Sequence, residues 1–398
     1  MVVEKYIIGS VLLIPTIILL FDSFLRCIYL FFLNPPITKP SSSKQSYRLA
    51  FVIVARNEAD IIKDTLQKIR HEIAADWGKG VFVIADHCSD RTEWEAEDAG
   101  ARVFIREEGD PGKGYALAWF AVKAGKELME YDAVIIMDAD SLIGPGYYQA
   151  VCDELSCGYS AIQSYIKPVV VDKSSPALLA AYSELLSQEI DDRARMRLGW
   201  SVPIRGTGII LRIPLFLSLA PNFCTQVEDI EMSIQLSLRN IPVEFAPWAV
   251  VLDPKVTNID GLARQRGRWL NGQRQVWIHN FKNILKLLRQ GLPQWSLIQA
   301  LLLKPKTMLL TIKVIIALLW GLFPPLFSKS IDLTISSLTF IGIGIDLWYC
   351  TEGLFIVSDP AKYLVALLKF PIYLLVWVYG WKYSLNAGQV WLRARGNH

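Results

Sequence analysis

Asp138 and Asp140 stand two residues apart, directly behind the apolar run Ala133-Val134-Ile135-Ile136-Met137. Side chains two apart on an extended chain point the same way, so both carboxylates leave such a strand on one side. The chain has only four histidines and six scattered cysteines with no C-x-x-C pair. Two hard carboxylates in that setting suit Mg2+ or Mn2+, not zinc. Such an ion can bridge diphosphate oxygens and stabilise a leaving group. The competing reading is a plain turn after a strand, where Asp is common. Further on, Glu228-Asp229 opens a pattern with Glu231, Met232, Ile234, Leu236 and Leu238. Asp229 there suits a general base that takes a proton from an acceptor hydroxyl. The pair equally suits a helix N-terminus whose dipole the acids complement. Arg264-Gln265-Arg266-Gly267-Arg268-Trp269 is the most specific run. Arginine forks match diphosphate oxygens, and an indole face matches a sugar ring. The alternative is a basic collar at a membrane surface, a reading that fits Val276 to Leu288 better.

These groups need a scaffold. Leu49 to Val54, Val81 to Ala85, Arg102 to Ile105 and Ala133 to Met137 read as strands, and the first, second and fourth are apolar throughout, as in strands buried on both faces. Helical patterns fill the gaps from Glu58 to about Ile73, Arg91 to Ala99 and Gly114 to Met129. This βαβ succession predicts an α/β domain with a parallel sheet. Ligands bind such sheets at the carboxyl ends of their strands. Those ends carry Arg56-Asn57-Glu58, Asp86-His87-Cys88-Ser89-Asp90 and Asp138-Ala139-Asp140, so three polar clusters converge on one crevice. No G-x-G-x-x-G follows the first strand, which excludes an NAD-type site there, and Gly112-Lys113-Gly114 lacks the rest of a Walker loop.

The composition is 52% hydrophobic with a net charge of +3. That charge is too small to point to nucleic acid. The six cysteines read as reduced structural thiols of a cytoplasmic domain. Tyr6 to Leu33 is apolar except for Asp22 and Arg26, which a helix would pair at i,i+4. It is too long for a signal peptide and ends in Asn34-Pro35-Pro36. Thr307 to Phe327 and Ile331 to Val357 are further spans, joined by Ser328-Lys329-Ser330. Tyr363 to Trp381, which holds Lys369 and Pro371, either spans or lies at the interface. Lys39, Lys44, Arg48, Lys282, Lys286, Arg289, Lys304 and Lys306 flank the central domain and set it on the cytoplasmic side; Arg393 and Arg395 favour an interfacial third stretch. The expected organisation is a transmembrane helix in 1–34, a cytoplasmic domain in 45–275, amphipathic interfacial helices in 276–306, and transmembrane or interfacial helices in 307–385.

Taken in order, Ala55-Arg56-Asn57-Glu58, Asp138-Ala139-Asp140, Glu228-Asp229 and Gln265-Arg266-Gly267-Arg268-Trp269 (a Q-x-x-R-W) resemble the motifs of family 2 glycosyltransferases. Residues from about 47 to 270 carry the likeness, which is strongest to the membrane synthases of cellulose, hyaluronan and poly-N-acetylglucosamine. The resemblance implies a GT-A, Rossmann-like domain flanked by transmembrane helices. It implies an inverting enzyme of the inner membrane that moves a hexose or N-acetylhexosamine from a UDP-sugar to a glycan, processively, in exopolysaccharide biosynthesis. Transfer of one sugar to a lipid carrier is the other outcome. By the same resemblance Glu58 and Asp86 hold the nucleoside, Arg56 and Lys113 lie at the donor, Asp138 is near the nucleotide, and Asp140 ligates Mn2+ or Mg2+ with Asp138 beside it. Asp229 is the base with Glu228 adjacent. Gln265, Arg268 and Trp269 line the cleft, and Thr207 and Gly208 of Arg205-Gly206-Thr207-Gly208 lie near the acceptor. The sequence departs from the pattern at Val227, where several synthases carry Thr, and at His87-Cys88, where Asp-Gly is commoner. It also shows no PilZ-like extension and fewer spans than cellulose synthase.

Overall fold

The structure is a computed structural model that describes residues 2–33, 37–43, 45–73, 80–170, 174–225, 227–255, 259–303, 306–322, 327–369 and 377–383. After the helix α1 (Val2–Phe31), the strands and helices alternate as β1 (Leu49–Ala55), α2 (Ala59–Glu72), β2 (Val81–Asp86), α3 (Thr92–Asp98), β3 (Arg102–Arg106), α4 (Lys113–Lys123), α5 (Gly125–Leu128) and β4 (Ala133–Asp138). Here the pairing is parallel, in the order β3-β2-β1-β4. The period of two splits the apolar strand β1 between two cores. Leu49, Phe51, Ile53 and Ala55 join Ile62, Leu66 and Ile69 on one face of the sheet, and Ala50, Val52 and Val54 join Leu117 and Phe120 on the other. Each of the Val, Leu, Ile and Phe side chains contributes about 1.5–3 kcal/mol on burial.

Beyond β4 the sheet departs from the expected parallel pattern. The chain continues through β5 (Leu142–Ile143), α6 (Tyr147–Ser156), β6 (Ala161–Val169), α7 (Ser175–Leu186), a π-helix (Ser187–Asp192), α8 (Arg193–Arg197), β7 (Ile209–Arg212), α9 (Ile213–Leu219), α10 (Glu228–Leu238) and β8 (Glu244–Pro254). Strand β7 is entered from a loop at the carboxyl end of β4, so it runs back antiparallel to β4, with Ile209 opposite Ile136. The result is an eight-stranded mixed sheet, β3-β2-β1-β4-β7-β6-β8-β5.

The helices α11 (Ile259–Leu288), α12 (Leu292–Leu302), α13 (Lys306–Leu322), α14 (Lys329–Glu352) and α15 (Pro360–Leu368) follow. The segment break expected at 275/276 lies inside α11, which is one continuous helix of 30 residues. Among the described residues, two helical stretches are long and apolar enough to cross a membrane, Gly9–Phe31 and Lys329–Phe355. The described helix of the expected second span is 17 residues long. Residues 370–376 of the third apolar stretch lie outside the described residues, as do Lys44, Lys304, Arg393 and Arg395. Asp22 and Arg26 do pair, at 3.1 Å. They are half of a larger cluster: Arg26 also meets Asp346 at 3.0 Å, and Lys313 meets Asp22 at 2.8 Å and Asp346 at 2.7 Å. The sequence reading overlooked Lys313 and Asp346. All four side chains are buried between α1, α13 and α14, while Ile14, Ile17, Phe24, Leu318, Phe340 and Trp348 face outward.

Candidate active site

At the carboxyl ends of β1 and β4 lies a cavity of about 370 Å³. Arg56, Glu58, Lys113, Asp138, Asp140, Thr207, Glu228, Asp229, Gln265, Arg268 and Trp269 all line it. Residues far apart in the chain are thus brought together by the strand ends, the N-terminus of α10 and one face of α11. Leu262, Gln265, Arg266, Trp269 and Gln273 recur at helical spacing and so present one face to the cavity.

Lys113, at the start of α4, is the hub. Its Nζ pairs with Asp138, donates to the Gly206 carbonyl at 2.5 Å and lies 3.7 Å from Glu228 Oε1. Burial works to lower the Lys113 pKa, but the charges of Asp138 and Glu228 outweigh it and the net shift is upward. The ammonium is therefore held charged. Burial pushes the Glu228 carboxyl up, against the opposing pull of Lys113. Glu228 is thus an enclosed neighbour of the lysine, whereas Asp229 is the more open of the two acids. Asp138 is 45% exposed at its side chain and takes part in the lysine pair, so Asp140 is the carboxylate of the two better placed for an ion.

The loop Arg205-Gly206-Thr207-Gly208 is fastened on several sides. The Arg205 amide donates to Gln163 Oε1 (2.9 Å), Gln163 Nε2 donates to the Thr207 carbonyl (2.9 Å), and the Ile204 amide donates to Ser233 Oγ of α10 (3.0 Å). Thr207 Oγ1 accepts from the Asp138 amide at 3.2 Å. Gly208 does not line the cavity. It has φ +64°, and a Cβ there would sit 2.8 Å from Ser164 Cβ, so only glycine fits between β6 and β8.

Asp86 also stands apart from the cavity lining. Its fully buried carboxylate accepts from Arg106 (2.5 Å) and from the Gly112 amide (2.9 Å), and His87 Nδ1 lies 2.9 Å away. It fixes the turn that delivers Lys113. The loops after β1 and β2 hold Asn57 and His87 at φ +56° and +53°, a left-handed conformation uncommon outside glycine and a mark of strain near sites. Asn57 Oδ1 accepts from the Ser89 amide at 2.7 Å and ties these two loops together. Arg56 Nη1 is buried without a hydrogen-bond partner among the described residues, a deficit of about 1–3 kcal/mol that a ligand oxygen would relieve. Val227, the departure from the family pattern, has a packing role: a Cβ on Gly272 of α11 would lie 2.3 Å from Val227 Cγ1.

Several lining residues were missed in the sequence. Lys255 pairs with Glu184 and Asp253, and the β5–β8 register, Leu142 opposite Leu252, brings Asp253 beside the Asp140 turn. Burial pushes the Asp253 carboxyl up, and the nearby Asp140 charge adds to that rise. Trp377 also lines the cavity, and the Arg266 guanidinium lies between it (4.8 Å) and Trp269 (4.3 Å). No local spacing announces these contacts.

Among the described residues no group of three or more His, Cys, Asp or Glu could hold a metal ion alone. The donor set nevertheless fits a hard divalent ion that shares its coordination with a phosphate ligand: Asp140 faces the cavity, and Lys113 and Arg268 supply positive charge nearby.

Two family models match the chain. Glycosyl transferase family 2 matches residues 50–197, and Glycosyl transferase family group 2 matches residues 133–324. The poly-beta-1,6-N-acetyl-D-glucosamine synthase of Staphylococcus aureus (strain MSSA476) is 24% identical over 251 residues, which is 61% of this chain and 58% of that protein. The chain thus spans less than two thirds of the length of this relative. Among solved structures, the mannosyltransferase PcManGT from Pyrobaculum calidifontis, in complex with GDP-Man and Mn2+, is 16% identical with a TM-score of 0.48, covering 93% of this chain and 99% of that one. A glucosyl-3-phosphoglycerate synthase from Mycobacterium tuberculosis, with Mn2+, UDP and glucosyl-3-phosphoglycerate, is 21% identical with a TM-score of 0.33, covering 50% and 70%.

Proposed function

We propose, for a chain that belongs to glycosyltransferase family 2, that the cavity moves a sugar from a UDP-sugar to an acceptor hydroxyl with inversion, at the cytoplasmic face of a membrane. The family match and the mixed α/β sheet make it a transferase of GT-A fold. The single observation that carries the reading is the convergence of Lys113, Asp138, Asp140, Asp229, Arg268 and Trp269 on one cavity. A membrane setting is supported by the outward apolar faces of α1, α13 and α14.

In this reading Arg56 and Glu58 hold the nucleoside, and Lys113 and Arg268 hold the diphosphate. Asp229 takes the proton of the acceptor hydroxyl. That oxygen forms its bond to C1 of the sugar as the C1–O bond to the diphosphate breaks, and the bonding pair leaves with UDP. Trp269, 36% exposed, offers a face to the acceptor ring. A Mg2+ or Mn2+ held at Asp140 would neutralise charge on the departing diphosphate. Glu228, enclosed beside Lys113, tunes the lysine and does not touch the sugar.

The relative named above favours a β-linked N-acetylglucosamine polymer as product. A second reading, one sugar to a lipid-linked acceptor, is favoured by the apolar wall that Ala300, Leu301 and Leu303 give the cavity. Membranes holding the protein, offered radiolabelled nucleotide sugars with and without EDTA, test the proposal. Incorporation from one UDP-sugar that EDTA stops and Mn2+ or Mg2+ restores is expected, and a sizing gel separates polymer from single transfer. No incorporation from any donor would remove the function, and full activity in EDTA would remove the ion.

A further inference from the structure

The loop that gives Lys113 its carbonyl partner is anchored far from the donor. Arg205, at its head, reaches Asp192 through Nε at 3.0 Å and also through Nη2. Asp192 ends the π-helix, and π-bulges inside α-helices are frequent at functional sites because the extra residue re-aims the side chains around it. Here two successive carboxylates, Asp191 and Asp192, are both buried. Asp192 Oδ1 accepts from Arg195 Nη1 at 3.1 Å. Arg195 is fully buried and spends its other donors on the helical bundle: Nε on Ser296 Oγ of α12 (2.9 Å), and Nη2 on Tyr29 OH of α1 (2.8 Å) and Gln299 Oε1 (3.4 Å). Gln299 in turn donates to Asp22 at 2.6 Å. Asp191 accepts from Tyr349 OH of α14 at 2.8 Å, and the ring of Tyr349 lies 5.1 Å from the Arg26 guanidinium. An unbroken series of buried polar contacts therefore runs from the helices to the donor site.

We propose that Asp192 is a positioning residue for glycosyl transfer: it clamps the Arg205-Gly206-Thr207 loop, and through it Lys113 and Asp138, against α1 and α12. The proposal rests on the cavity being the transfer site. A stabilising ion pair alone would not require the carboxylate to join two arginines with different duties. Both arginines line the cavity, but Arg195 spends its remaining donors on α1 and α12, whereas Arg205 heads a loop whose next two residues contact donor-site groups.

Asp192→Asn and the milder Arg205→Lys, which keeps the charge but replaces the two-pronged fork by a single ammonium, test it in the full-length protein. Glu189→Gln is the control, since Glu189, on the same π-helix, pairs with Arg193 at the start of α8. Three quantities are measured: amide hydrogen exchange of a peptide covering 204–208, the melting midpoint, and transfer kinetics with the UDP-sugar. Both test variants should speed exchange in that peptide and lower kcat/KM by about 10- to 100-fold, the scale of an ångström's misplacement at a reacting centre. The Arg205→Lys midpoint should stay near wild type, and Glu189→Gln should match wild type throughout. Wild-type kcat/KM in Arg205→Lys, or losses that follow the melting midpoint alone, would overturn the proposal. If the wild-type protein itself transfers nothing, the transfer reading falls, and unchanged exchange in Asp192→Asn would separately show that it holds no loop.

Discussion

Two groups of charges sit in this molecule, built from the same residue types and put to opposite use. Between α1, α13 and α14, Asp22, Arg26, Lys313 and Asp346 form a closed set in which each charge meets two of opposite sign within 3.1 Å, and none is more than 2% exposed. In the cavity Asp138, Asp140 and Asp229 are only partly buried and face the same open space as Lys113 and Arg268. A closed set is shut away from any ligand by burial; its removal costs structure. An open set is poorly arranged for stability and well arranged for a reaction. Access to a cavity, more than charge, separates the two groups.

The contrast can be broken most sharply at Asp229. Asp229→Asn should lower turnover by about 10²–10⁴-fold, the usual worth of a general base, while UDP still binds and the melting midpoint holds. Normal turnover would take Asp229 out of the chemistry. On the closed side, Asp346→Asn leaves Arg26 and Lys313 sharing one carboxylate. It should destabilise the protein by about 3–5 kcal/mol, as broken buried pairs do, and a melting curve that matches wild type would refute the closed-set description.

Glu154 of α6 sharpens the comparison as a third case, a buried acid whose charged neighbours are other acids. Burial, helped by Glu244 and Asp153, pushes its carboxyl up to about 7, and Oε1 has no hydrogen-bond partner among the described residues. The folded state therefore holds a proton more tightly than the unfolded chain. The stability this gives is complete below the ordinary carboxyl range near 4.5 and is lost as pH rises through about 7. Glu154→Gln should flatten that slope and stabilise the protein at pH 8 by roughly 2–3 kcal/mol, with denaturant titrations at pH 5 and 8 as the check. Parallel curves for both proteins would argue against a held proton. The smallest effect belongs to Lys63, whose ion pair with Asp98 at 2.8 Å is half exposed on both sides. Lys63→Ala should leave the melting midpoint unchanged within error, because solvent screens such pairs.

The first four strands and the motif residues were legible because each is written locally. An apolar run of strand length, or two acids at a strand exit, needs no distant partner to be recognised. The antiparallel return of β7, the antiparallel β5–β8 edge and the π-helix were not legible, since they depend on pairings between segments remote in sequence. The same holds for Lys313 and Asp346, which went unnoticed inside apolar runs because only the fold brings Asp22 and Arg26 of α1 against them. Asp86 illustrates a subtler gap. Its place at a strand end was legible, but Arg106, arriving on β3, turns it into a structural anchor away from the cavity lining.

The helix α11 has one more consequence. It carries Gln265, Arg268 and Trp269 near its start and runs unbroken to Leu288, a rod of about 45 Å at 1.5 Å per residue. With no proline to hinge it, a tilt imposed at the far end reaches the near end as a rotation of those side chains. Val276, Ile284 and Leu287 on that far half pack against Ile230 and Ile234 of α10 and Leu297 and Leu301 of α12, so it moves only together with the helices that hold it.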